Sequence, residues 1–480
     1  MLLRGLKNVK KKKRQFGEEK RRKIMEEKTK PQARTRDLGK GSIPKLLAQL
    51  AIPVVVAQIV NLLYNIVDRI YIGHIPGIGA AALTGVGLFA PILMLINAFA
   101  MLSGSGGAPR AAIFMGKKDN ETAEKIMANC FSLILIFAVG LTILFSIFAP
   151  KLLILFGASD ATLPYAVEYA RIYIFGSIFV LIVLGMNLFI TTQGFSKISM
   201  MTTLIGAVIN VILDPIFIFV FHLGVQGAAL ATIISQGISC IWVLKFLTGN
   251  KTHIKIRIKN LRLSKQIVFL VISLGISPFV MQSTDCFIQL VFNNGMLKYG
   301  NDSYVALMSI LFSVMQLVWM PMQGFAQGVQ PIISFNYGAG NNERVFSAFK
   351  KLFILCLVFS MSIIVILELF PQFFIGMFTS DAQIIEIGKN AIRVFMLSMS
   401  LMGMQTACQQ TFLALGQAKE SVFLAIERKL ILLLPLALIL PKIGALGVWG
   451  LFLAEPISDF IAVLTTVSLF SVKSRKLLTR

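Results

Sequence analysis

Residues 131–150 read FSLILIFAVGLTILFSIFAP, twenty positions without a charged side chain. As an α-helix this run is about 30 Å long, the hydrocarbon thickness of a bilayer. The same reading extends in both directions. Twelve apolar runs are found, at about 46–73, 80–106, 123–149, 162–191, 197–222, 225–248, 264–293, 303–333, 344–370, 384–415, 420–440 and 444–471. Composition agrees with them. Of 480 residues 56% are hydrophobic and 14% charged, where soluble domains carry about 25% charge. The mean hydropathy is +0.78. A disordered chain and a soluble multidomain enzyme are both excluded. The predicted fold class is an all-α polytopic membrane protein with twelve transmembrane helices.

The formal charge of +24 comes from 46 Lys and Arg against 22 acids. In a soluble protein that balance points to nucleic acid. Here its distribution points elsewhere. Residues 1–45 hold 17 basic residues, and 37 of the 46 fall in the two ends and the loops that alternate with them. The opposite loops hold only Lys151, Lys298 and Lys442. Basic residues accumulate on the cytoplasmic side of membrane proteins, so both termini are expected in the cytoplasm and no nucleic-acid partner is expected. The front segment lacks the early apolar run of a signal peptide. It reads as a basic tail lying near anionic lipid. Cys130, Cys240, Cys286, Cys356 and Cys408 lie in apolar runs without CxxC spacing, so neither a zinc site nor a disulfide framework is expected.

The chain also repeats itself. Gly106, Pro109, Gly116, Asp119, Asn120 and Glu121 correspond to Gly328, Pro331, Gly338, Asn341, Asn342 and Glu343, all shifted by 222. Gly194 and Lys197 match Gly416 and Lys419, and Pro215, Gly224 and Gly227 match Pro435, Gly444 and Gly447. An even number of spans per copy gives both copies one orientation, related by a pseudo-two-fold axis along the membrane normal. The expected organisation is a basic tail (1–45), a six-helix N-lobe (46–248), a basic linker (249–263), a six-helix C-lobe (264–471) and a C-terminal tail (472–480). Two lobes flanking a cavity is a transporter layout.

Ionisable groups inside a span are costly, which makes them functional candidates. On the first span Asn61, Tyr64, Asn65 and Asp68 share a helical face, and on the fifth Asn210 and Asp214 do so. Both spans start from the same side, placing the two aspartates at similar depth. Asn187 and Thr191 on the fourth span and Thr232 on the sixth complete a set of oxygen-bearing side chains suited to a proton or a sodium ion. The same groups also suit a purely structural role, bonding across helix interfaces. A carboxyl group withdrawn from water favours its neutral form, so proton uptake and release can occur near neutral pH.

The stretch from Tyr64 through Asp68 to His74 (YNIVDRIYIGH) resembles the first helix of the multidrug and toxic compound extrusion (MATE) family. Asn210–Ile218 (NVILDPIFI) resembles that family's fifth helix, and Gly224–Ala229 (GVQGAA) is also typical of it. The resemblance covers roughly residues 42–472 and is greatest to the MepA-like branch. It implies a secondary antiporter of organic, often cationic, drugs, driven by protons or sodium, in a bacterial plasma membrane. The family's N-lobe cation site falls on Tyr64, Asp68, Asn187, Asn210, Asp214 and Thr232, with sodium, if used, at Asp68 and Asp214.

In the second half Leu434 stands where the repeat would place Asp214. Its acids are Asp285, Glu427, Glu455 and Asp459, and Glu427 is expected to pair with the adjacent Arg428 or Lys429. Coupling is therefore expected in the N-lobe. Met281, Gln282, Asp285, Met315, Met320 and Gln405 are the candidates for a substrate cavity, because flexible thioethers suit varied ligands. Filling a core or facing lipid is the competing reading for any one Met. No Walker-type GxxxxGK[ST] is present, so ATP use is not expected. A flippase for lipid-linked substrates, which would want several cations in its cavity, is the alternative. A membrane-embedded enzyme is a more distant one, since His74, His222 and His253 lie in or near loops. No cofactor is expected, and a single chain with both lobes is expected to act as a monomer among membrane lipids.

Overall fold

The computed structural model describes residues 38–444 and 446–478, so most of the expected basic tail lies outside the described residues. Described residues form helices and connecting turns, without strands. The N-lobe contains α1 (Ile43–Gly73), α2 (Gly79–Leu88) with α3 (Ala90–Gly116), α4 (Asn120–Leu155), α5 (Leu163–Thr192), α6 (Ser196–Pro215) and α7 (Gly224–Thr248). The C-lobe begins with α8 (Lys265–Tyr299), α9 (Asp302–Gly338), α10 (Asn342–Leu369) and the short α11 (Pro371–Gly376). It continues with α12 (Ala382–Met396), α13 (Met399–Ala414), α14 (Ala418–Ile426), α15 (Leu434–Ile439) and α16 (Val448–Leu478).

Among the described residues eleven helical segments are long and apolar enough to cross a membrane. The expected eleventh span, running through α14 and α15, is not among them. It carries Glu427, Arg428 and Lys429, and these begin a π-helical stretch, Glu427–Leu433, that separates α14 from α15. α6 is continued by a second π-helical stretch, Ile216–Val220, which follows Pro215, whereas Glu427–Leu433 precedes the matching Pro435. The tail expected from 472 is helical through Leu478.

The repeat is visible in the helix ends. Asp119 opens α4 by accepting the Thr122 amide at 3.0 Å, and Asn341 opens α10 by accepting the Arg344 amide at 3.3 Å. Such caps satisfy amides that have no partner inside the helix. At the other end Gly194 (φ 86°) and Gly416 (φ 71°) close the fourth and tenth spans in the left-handed conformation that glycine tolerates.

Each lobe has its own core, around Ile96, Met127 and Phe189 in the first and Phe292, Met308 and Phe395 in the second. The lobes meet toward the basic face, where α3 and α9 end and α4 and α10 begin. There Gly116 packs on the Phe335 carbonyl, and Gly338 packs on the Ile113 carbonyl. These two contacts are repeat images of each other, and neither leaves room for a Cβ. Gly106 against Val271, and Gly328 against Ala51, extend the same seam. The expected linker 249–263 is bound to the N-lobe. Gln193 Oε1 accepts from Thr252 Oγ1 (2.7 Å) and from the amides of His253 (2.8 Å) and Ile254 (2.9 Å), while Arg257 pairs with Glu124 at 2.6 Å.

Candidate functional site

α1 and α6 both run away from the basic face, and each carries an aspartate near its far end. The carboxyl groups of Asp68 and Asp214 meet there. Asp214 is fully buried, and Asn210 one turn earlier donates its amide to Asp214 Oδ1 (3.1 Å) and to Thr232 Oγ1 (3.4 Å). Thr232 in turn donates to the Ala228 carbonyl at 3.0 Å. Asp68 Oδ1, Asp214 Oδ2 and Asn210 Oδ1 are buried without a hydrogen-bond partner. Oxygens thus converge without enough donors, an arrangement that a proton or a cation would complete. No described ion pair joins either aspartate to Lys or Arg, and Arg69 is exposed, about 100° around the helix from Asp68.

Tyr64 lies beside Asp68, as its spacing predicts. Asn65 instead turns to its own backbone, donating to the Asn61 carbonyl at 2.6 Å. Asn187 is not brought to the aspartates. Its amide donates to the Ser199 carbonyl at 3.3 Å, which lies fifteen residues, or about 22 Å of helical rise, before Asp214 on α6. Thr191 donates to the Asn187 carbonyl at 3.4 Å and is also remote. Two residues were missed. Tyr169 and Tyr173 of α5 are buried, stack on one another with ring centroids 5.8 Å apart, and lie within electrostatic range of Asp68. Their four-residue spacing is the same signal that singles out Asn210 and Asp214.

In the C-lobe a small cavity is lined by Met281 and Gln405 together with Trp319, Gln323, Gln409 and Gln410. Its amides form chains. Gln405 Nε2 donates to Gln409 Oε1, Gln409 Nε2 contacts Met281 Sδ at 3.1 Å, and Gln410 Nε2 donates to Gln323 Oε1 at 3.2 Å. Gln282, Met315, Met320 and Asp285 do not line it. Met315 packs against the lobe's apolar core, as do Met396, Met399 and Met402, which are fully buried. Asp285 forms an ion pair with Lys429 at 2.7 Å.

Glu427 does not form the expected pair. Arg428 turns to Asp459 (2.8 Å) and Glu455 (3.7 Å), Lys429 turns to Asp285, and Glu427 Oε2 has no partner. Consecutive residues on a helix point in different directions, so adjacency in sequence does not make neighbours of their side chains. The second lobe therefore has a buried charge cluster of its own, at different positions from the first.

The MatE family model matches residues 53–216 and 279–439. The chain is 26% identical over 430 residues to the multidrug export protein MepA of Staphylococcus haemolyticus (strain JCSC1435), covering 89% of this chain and 94% of that one. To MepA of Staphylococcus aureus (strain MSSA476) it is 26% identical over 434 residues, covering 88% and 94%. A MOP superfamily transporter from Pyrococcus furiosus, described as having a binding pocket of reverse polarity, superposes with a TM-score of 0.86 at 24% identity, covering 93% of this chain and 99% of that one. An outward-facing multidrug resistance MATE transporter superposes equally well, with the same identity and coverage. With two six-helix lobes and a match over both of them, the chain belongs to the MATE family and is a membrane transporter, not an enzyme.

Proposed function

We propose that this chain is a secondary-active multidrug exporter of the bacterial plasma membrane that exchanges organic cations for protons or sodium by alternating access, with both termini in the cytoplasm. The observation that carries the coupling is the meeting of the half-buried Asp68 with the buried Asp214, short of donors and, among the described residues, without an ion pair to Lys or Arg. Two carboxyl groups this close are strained when both are ionised, and a cation taken up between them relieves the repulsion. Uptake then draws α1 and α6 together, and release lets them part. An ion that favours one arrangement shifts the population of the two transport states.

The seam of Gly106, Gly116, Gly328 and Gly338 supports an outward-open state. It closes the basic face, which the charge distribution assigns to the cytoplasm. Export of one monovalent cation against 100 mV requires about 2.3 kcal/mol, and a tenfold gradient adds about 1.4 kcal/mol. One-for-one proton exchange cancels the voltage part, whereas two inward cations retain it. The relatives' names, multidrug export proteins, support organic drugs as substrates. A monomer suffices, since one chain contains both lobes.

The test uses purified protein in liposomes with a fluorescent organic cation, under a pH gradient and then a sodium gradient. Movement driven by one of them is expected, and it identifies the coupling ion. Absence of movement under either gradient from folded protein would favour the flippase reading, to be tried with lipid-linked substrates.

A further inference from the structure

The pairings leave over two buried acids of the second lobe, Glu427 and Glu455, and only Glu455 lies among the other charges. Arg428 Nε bonds Asp459 Oδ1 at 2.8 Å, and the other oxygen of Asp459 accepts from Ser398 Oγ at 3.2 Å. Asp459 is thus satisfied by a charge and a hydroxyl. Lys429 Nζ bonds Asp285 Oδ1 at 2.7 Å. What remains is Glu455 on α16, whose Oε1 is 3.7 Å from Arg428 Nη2 and whose Oε2 has no partner. Glu455 is 2% exposed.

Three acids and two cations leave one surplus carboxylate deep in a bilayer, where an uncompensated charge is not sustained. The groups around Glu455 offer nothing further to offset it. α8 supplies Asp285, already paired; the π-helical stretch supplies Arg428 and Lys429, both paired; α16 itself supplies Asp459. The α9 contribution is the Trp319 ring, 5.3 Å from the Arg428 guanidinium and uncharged. A metal ion is a poor neutraliser, because a guanidinium stands 3.7 Å away and only one carboxylate oxygen is free. A proton needs only that oxygen.

We propose that Glu455 holds an exchangeable proton, and that an organic cation drives it off by taking Asp285 from Lys429. Asp285, with its side chain 45% exposed, is the accessible member of the cluster. The exchange balances. Before it, Asp285⁻ faces Lys429⁺ and Glu455 is neutral; afterwards Asp285⁻ faces the organic cation, Lys429⁺ is offset by Glu455⁻, and one proton has left. This second exchange rests on the exporter reading, while the bound proton itself does not.

Infrared spectroscopy of the full-length protein tests the proton without any transport. In an Asp68→Asn/Asp214→Asn background, the carbonyl stretch of a protonated carboxylic acid is expected, shifting in heavy water and lost with Glu455→Gln. If Glu455→Gln does not fold, glutamate labelled with a heavy isotope must shift the band in protein that keeps Glu455, with Glu427→Gln as the control for the other buried glutamate. Adding tetraphenylphosphonium to weakly buffered protein of the same background should release protons, and Asp285→Asn should abolish the release. A band unaffected by loss or labelling of Glu455, or sodium-dependent thermal stabilisation that Glu455→Gln removes, would overturn the proposal. Failure of drug transport with the band intact would instead fall on the exporter reading.

Discussion

In the first lobe Asp68 and Asp214 meet without an ion pair to any described Lys or Arg, whereas in the second Asp459 and Asp285 are each held by a cation, Arg428 and Lys429. The backbone plan is nevertheless shared: caps at Asp119 and Asn341, left-handed glycines at 194 and 416, and reciprocal packing of Gly116 and Gly338. The repeat preserves geometry and lets charge diverge. A carboxyl pair without a resident cation is free to exchange its neutralising ion, which suits coupling. An aspartate clamped by Arg428 and Ser398 is held in one arrangement and ties the tenth, eleventh and twelfth spans together.

The contrast is broken most severely at Arg428. Arg428→Gln leaves Asp459 without its cation in the membrane interior. Removing one partner of a buried pair costs about 3–5 kcal/mol, so the variant should melt far below the parent in detergent or fail to accumulate. Asp214→Asn in the first lobe should melt like the parent or higher, because it relieves a carboxyl repulsion and keeps the shape. Equal destabilisation by the two variants would refute the difference drawn between the lobes.

A smaller effect is expected at the shared seam. Gly338→Val places branched carbon against the Ile113 carbonyl, and overpacking of this kind costs about 1–3 kcal/mol. The lobes should then part on the basic face, seen as a longer distance between spin labels on α3 and α9. Gly376→Val, where the space is open, should leave that distance unchanged. The smallest effect sharpens the comparison of caps. Asp119→Ala and Asn341→Ala should each cost about 1 kcal/mol at neutral pH. Hydrogen bonds from Thr122 hold the Asp119 carboxyl below its usual value. Its contribution is therefore present above the ordinary carboxylate value of about 3.9 and is lost as the pH falls through the lower folded value. Asn341 does not titrate, so its cost should persist in acid. Thermal midpoints of the two variants across pH check this.

Much of this could be read from residues alone. Long apolar runs identify spans without reference to their partners, and six positions offset by 222 were enough to expose the repeat. Asp68 and Asp214 were legible because carboxylates are rare in such runs. What failed depended on three-dimensional partners. Asn187 has the right chemistry but sits at the depth of Ser199, and helical depth relative to another span is not written in spacing. Sequence alone does not single out Tyr169 and Tyr173, because tyrosine in an apolar helix fits a core as well as a site. The pairing of Glu427 with Arg428 expected from adjacency fails because the partner of Arg428, Asp459, lies 31 residues away on another helix. Of the methionines expected at a cavity, Met281 lines one, whereas Met315 packs against the apolar core, and spacing alone does not separate the two.

The central claim is that the Asp68–Asp214 pair couples ion flow to export, and separating driven from undriven transport tests it most directly. Asp68→Asn/Asp214→Asn protein in liposomes would be assayed for accumulation of a fluorescent organic cation under the coupling-ion gradient, and for exchange of the same cation with no gradient. The account predicts that gradient-driven accumulation is abolished while gradient-free exchange persists. Full gradient-driven accumulation by the double variant would contradict it.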